Sequence, residues 1–230
     1  MNNDSIAANI AKVLQQVSNA VEKYHRRPES VRVMAVSKTQ QAEAVRAAAN
    51  AGLVDFGENY LQEALDKIHS CADLGLTWHF IGPIQSNKTR PIAASFQWVH
   101  SVDREKILRR LSEHRDPEQA PLNICIQVNV SKEASKSGVA PENLAPLLAL
   151  ATELPNLKLR GLMAIPAASD DFDTQKQACD RMAELFRDAQ SRYPSMDTLS
   201  MGMSADLEAA VAAGSNMLRI GTAIFGARHR

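Results

Sequence analysis

The sequence predicts a single (β/α)8 barrel of the TIM type with one extra helix at its N-terminus, spanning residues 1–230 as one domain. Three observations predict it. Eight apolar, β-branched bursts recur along the chain, helical patterns separate them, and no linker, low-complexity tract or solenoid-period repeat interrupts the alternation. Parallel strands need a crossover between them, so this alternation reads as a parallel sheet, and eight unbroken units fit closure into a barrel. An open doubly wound sheet is the alternative, but neither GxGxxG after the first strand nor GxxxxGK[ST] is present.

The elements follow in order. A helix over 6–24 carries Ile10, Val13, Leu14, Val17 and Val21 on one face. Strands are expected over 31–37, 54–57, 78–81, 97–101, 124–130, 157–165, 198–203 and 217–225. The intervening helices fall over 42–51, 60–69, 104–114, 142–153, 174–192 and 205–213. The third crossover is the thinnest, with only 87–94 available for its helix.

Composition narrows the partners. Hydrophobic residues are 45% and charged residues 23%, as in ordinary soluble globules, and 26 basic side chains balance 26 acidic ones. Zero net charge and few aromatics argue against nucleic acid or an anionic membrane as a partner. Cys71, Cys125 and Cys179 are far apart, so neither a disulfide framework nor a metal site is expected. The histidines show no HxH or HExxH spacing. No leader or bilayer-length apolar run is seen, and the expectation is a reduced, cytoplasmic protein.

In such a barrel the site forms at the C-terminal ends of the strands. Lys38 follows the apolar Val33-Met34-Ala35-Val36 directly, so its amine starts from the rim. Most lysines are solvated surface groups, but partly apolar surroundings would lower this amine's pKa and free it to capture an aldehyde. In Met217-Leu218-Arg219-Ile220, period-two alternation sets Arg219 opposite Leu218 and Ile220, aimed into the barrel. A buried guanidinium needs a partner, either a structural ion pair or a bound anion or aromatic heterocycle.

Ser204 stands between a strand and a helix, with Gly221 and Thr222 at the next strand end. The set reads either as an ordinary helix cap or as a phosphate cradle after strands seven and eight. Asn59 and His79, near the ends of strands two and three, could touch a bound ring or satisfy buried backbone. Met163 marks the end of strand six. Met203 is expected to be core filling. Lys136, in the Ser131–Gly138 loop, is either solvated or a second reactive amine.

On these residues the chain resembles the pyridoxal phosphate homeostasis proteins, which are similar to the N-terminal barrel of alanine racemase. The motifs are Ala35-Val36-Ser37-Lys38-Thr39, Phe56-Gly57-Glu58-Asn59-Tyr60, Trp78-His79-Phe80-Ile81-Gly82, Ser135-Lys136-Ser137-Gly138, Gly161-Leu162-Met163-Ala164-Ile165-Pro166, Gly202-Met203-Ser204 and Arg219-Ile220-Gly221-Thr222. The resemblance implies pyridoxal 5′-phosphate (PLP) carried as a lysine Schiff base on Lys38, with Arg219 facing the pyridine nitrogen. It implies phosphate contacts from Ser204, Gly221 and Thr222, with Ser200 and Met203 nearby, and extends the cofactor-binding set to Asn59, His79 and Met163. The implied role is a non-catalytic PLP carrier in vitamin B6 homeostasis, monomeric, with PLP-dependent apoenzymes as acceptors. A racemase-like amino-acid enzyme is the alternative. Against it, Thr39-Gln40-Gln41-Ala42 follows the lysine where racemases carry a tyrosine, and their second, β-rich domain is not expected here.

Overall fold

Short runs rich in Val, Ile and Leu cannot hide both faces alone, so they bury one against each other and one against helices. The computed structural model describes residues 3–131 and 137–226. Strands β1 (Arg32–Val36), β2 (Asp55–Glu58), β3 (Thr77–Phe80), β4 (Trp98–Val102), β5 (Leu122–Gln127), β6 (Leu157–Met163), β7 (Thr198–Ser200) and β8 (Met217–Ile220) close into one barrel in chain order. Every neighbouring pair is parallel, and β1 closes the barrel on β8 with Ala35 opposite Ile220.

Around it lie α1 (Asn3–Lys23), α2 (Ala42–Asn50), α3 (Leu61–Ser70), α4 (Thr89–Ser95), α5 (Glu105–His114), α6 (Leu144–Glu153), α7 (Phe172–Arg192), α8 (Leu207–Ala213) and α9 (Thr222–Phe225). The extra helix α1 packs across α2, α8 and α9. It buries Ile6, Ile10, Val13, Val17 and Val21, worth on the order of 10 kcal/mol gross at 1.5–3 kcal/mol per side chain. Leu14, expected on that face, is 43% exposed.

The largest core cluster lies between barrel and helices, while Trp98, Cys125 and Met163 form a second cluster. Two guanidiniums lie over the Trp98 ring, Arg32 at 5.6 Å and Arg160 at 4.6 Å, and Arg160 is anchored by Asp197 and Asn123.

Several strands end sooner than their apolar runs. The run 217–225 is a strand followed by a turn of helix: β8 stops at Ile220, and α9 buries Ile224 and Phe225. β6 stops at Met163, three residues before Pro166, which has no N–H to extend a ladder. β7 stops at Ser200, ahead of Gly202 at φ 96°. β5 runs from Leu122 to Gln127, after which the Val128 N–H still donates to the Met163 carbonyl at 2.8 Å and Val128 forms an isolated bridge with Val139. The third crossover does hold a helix, α4, entered through a short 3-10 turn at Ser86–Lys88.

Candidate functional site

The C-terminal ends of β1 and β8 lie side by side, which brings residues from opposite ends of the chain together. Ser37 continues the β1 ladder by donating its N–H to the Gly57 carbonyl at 3.1 Å, so the half-buried Lys38 starts at the rim. Lys38 lines a pocket of about 40 Å³ with Val36, Thr39, Gln40, Gly221, Thr222, Phe225 and Gly226. Gly221 sits close to β1: a Cβ there would stand 3.3 Å from the Val36 carbonyl oxygen. Lys38, Gly221 and Thr222 thus share one small pocket.

Arg219 projects inward and is only 4% exposed. Its guanidinium donates to the Ser200 carbonyl (2.7 Å), to Ser200 Oγ (2.9 Å) and to the Ala164 carbonyl (2.8 Å). These partners are dipoles, and no carboxylate is among them. Burial pushes its pKa down to about 10, which leaves it cationic at neutral pH. Ser200 is therefore a fully buried support for Arg219, and Met163 packs with Trp98 and Cys125.

His79 is buried on β3. Its Nε2 lies 2.8 Å from Asp55 Oδ1 and its Nδ1 3.0 Å from His100 Nε2. Both ring nitrogens are thus occupied, and the ring stacks on Trp98 at 5.5 Å. Burial, foremost, holds both imidazoles below their ordinary pKa, His100 well below, with the charges of His79 and Arg219 adding to the effect on His100. With both rings neutral, Asp55 accepts from His79, and His79 accepts from His100. His100 Nδ1 is then a buried acceptor with no partner among the described residues. Sequence reading missed His100 and Asp55. The signal was available in Trp98-Val99-His100, where alternation puts the histidine on the face of the tryptophan.

The remaining residues stand elsewhere. Asn59 is half-buried at the end of β2, and its Oδ1 is buried without a partner among the described residues. Met203 is exposed rather than core filling, and its N–H donates to Asp206 Oδ1. Ser204 is exposed and lines a separate groove with Asn19 and Lys23 of α1 and Glu208 of α8. Lys136 lies outside the described residues.

The family model described as "Alanine racemase, N-terminal domain" matches residues 2–229. A pyridoxal phosphate homeostasis protein of Pseudomonas aeruginosa is 59% identical over 224 residues, covering 97% of this chain and 96% of that one. Its counterpart in Escherichia coli is 51% identical over 228 residues, covering 98% and 97%. Among solved structures, PipY of Synechococcus elongatus, a COG0325 family member with PLP bound, superposes with a TM-score of 0.83 at 34% identity, covering 96% of this chain and all of that one. Alanine racemase of Corynebacterium glutamicum shares the fold, with a TM-score of 0.70 at 17% identity, and this chain spans 62% of its length. By these matches the chain belongs to the alanine racemase N-terminal domain family and, within it, to the pyridoxal phosphate homeostasis proteins.

Proposed function

We propose that the protein binds PLP as a Schiff base on Lys38 and carries it for vitamin B6 homeostasis without turning over amino acids. The observation that carries this reading is the shared pocket of Lys38, Gly221 and Thr222. Bound PLP supplies an aldehyde for an amine to capture and a phosphate for donors to hold. Lys38 provides the amine, and the Gly221–Thr222 segment provides an amide and a hydroxyl. Two residues outside that pocket's lining also suit such a group: Asn59 Oδ1 is a buried acceptor with no partner among the described residues, and Arg219 carries a buried charge with no counter-ion among its hydrogen-bond partners. The relatives' names and the PLP bound in PipY support the same cofactor.

Arg219 also bears on catalysis. Were bound PLP to present its ring nitrogen to Arg219, as the family resemblance implies, the fixed cation would keep that nitrogen unprotonated and weaken the ring as an electron sink. The difference is one of degree, since alanine racemase works with the same arrangement. Carbanion chemistry further needs a second acid or base opposite the lysine. The chain has three tyrosines. Tyr24 bonds Glu208, Tyr60 is exposed at the start of α3, and Tyr193 follows α7, so none of them lines the Lys38 pocket.

The test is to mix the PLP-loaded protein with a PLP-dependent apoenzyme, and separately with L- and D-amino acids in deuterated water. Recovered apoenzyme activity without α-deuterium exchange is the expected outcome. Sustained exchange that disappears in Lys38→Ala would make it an enzyme.

A further inference from the structure

Behind Lys38, on the helix side of the rim, lies a buried charged cluster that the pocket does not include. Lys67 of α3 is 4% exposed, and Glu58 and Ser37 are fully buried. The Lys67 ammonium has three hydrogens, and each meets an oxygen: the Ser37 carbonyl at 2.6 Å, Glu58 Oε1 at 2.7 Å, and Glu63 Oε1. Ser37 Oγ donates to the same Glu58 oxygen at 2.6 Å, and the Thr39 N–H donates to Glu63 Oε1 at 2.5 Å. The residues before and after Lys38 are therefore both tied to one ammonium, Ser37 directly and Thr39 through Glu63.

Thr39 makes the tie consequential. It holds φ at +66°, the left-handed region that a β-branched side chain rarely enters. Left to local preference, the backbone would relax toward negative φ and swing the Lys38 side chain with it. Burying the Lys67–Glu58 pair gains little stability by itself, because desolvation offsets the attraction. What these bonds do fix is geometry, on both sides of one residue.

We propose that Lys67 is the positioning residue for the Lys38 amine, locking the Ser37–Thr39 backbone through Glu58 and Glu63 so that the amine is held at the pocket it shares with Gly221 and Thr222. Lys67 lies outside that pocket, in a separate cleft with Thr39, Glu63 and Ser70, so it acts through the backbone of the loop. The inference rests on Lys38 being the Schiff-base lysine.

Two variants and two ligands test it. Lys67→Met combined with Glu58→Gln removes the ammonium without leaving a bare buried carboxylate, and Glu63→Ala releases Thr39 from a half-exposed position. Each is titrated with PLP, reading the Schiff-base absorbance and borohydride labelling of Lys38. Each is also titrated with 4′-deoxypyridoxine 5′-phosphate, which keeps ring and phosphate but has no aldehyde. Misplacing a reacting group by about 1 Å costs up to ~100-fold, so Schiff-base formation should fall at least about tenfold in both variants. Binding of the deoxy compound should stay within about twofold, since the donors at Gly221 and Thr222 are untouched.

Parallel loss of both ligands would make the cluster merely structural and overturn the proposal, as would unchanged Schiff-base formation. If the double variant fails to fold, Glu63→Ala alone decides between these outcomes. Failure of the underlying reading has a different signature: the unmodified protein would itself show no borohydride label on Lys38.

Discussion

Arg219 shows how a sequence anomaly resolves at the scale of one residue. Alternation along Met217-Leu218-Arg219-Ile220 is enough to aim it inward, but which oxygens receive it depends on the ends of two other strands, at Ala164 and Ser200. Arg219→Lys keeps the charge and loses the planar fork that reaches both carbonyls. Losing one charge-assisted bond should lower unfolding stability by about 1.5–3 kcal/mol, read from the urea midpoint. A midpoint equal to that of the unmodified protein would mean that the carbonyls do not need the fork. In the pocket itself, phosphate held by Gly221 and Thr222 should dominate affinity. At about 1.5–3 kcal/mol per charge-assisted bond, pyridoxal lacking the phosphate should bind at least tenfold more weakly than PLP. Comparable affinities would remove the cradle from the account. Ser204 illustrates what one sequence cannot resolve: its place between strand and helix was legible, whereas its facing the α1–α8 groove depends on how α1 packs.

Among the elements, periodicity located all eight strands and the helices between them, yet placed several strand ends too late. The reason is physical: residues just past the rim stay apolar because they pack beneath the outer helices, as Ile224 and Phe225 do in α9. Close approaches between strands were equally hidden. A Cβ on Gly161 would stand 1.6 Å from the Thr198 carbonyl oxygen, on the neighbouring strand at the same register. Gly161→Ala must therefore part β6 from β7, and a loss above about 3 kcal/mol or failure to fold is expected by chemical denaturation. A Cβ on Gly82 would meet the Asn59 carbonyl oxygen at 2.2 Å. A fully stable Gly161→Ala would show that the strands separate more easily than this packing allows.

For the molecule as a whole, the buried imidazoles set a pH dependence. His79 and His100 have native pKa values below the ordinary 6.5, so between that value and the native ones the unfolded chain binds more protons. Stability is then fully present above pH 6.5 and falls as pH drops below it, by up to about 1.4 kcal/mol per pH unit for each group. Replacing His100 with Gln should flatten the Tm profile between pH 7 and about 5; an unchanged slope would place the titration elsewhere. Closing the barrel is also what brings β1 against β8 and creates the pocket of Lys38, Gly221 and Thr222. The most direct measurement is borohydride reduction of the PLP-loaded protein followed by peptide mass mapping, on the unmodified chain and on Lys38→Ala. A label on Lys38 is predicted, with both the label there and the Schiff-base absorbance lost in Lys38→Ala while the fold is retained. A Schiff-base band that persists unchanged in Lys38→Ala, with the label on another lysine, would contradict the account.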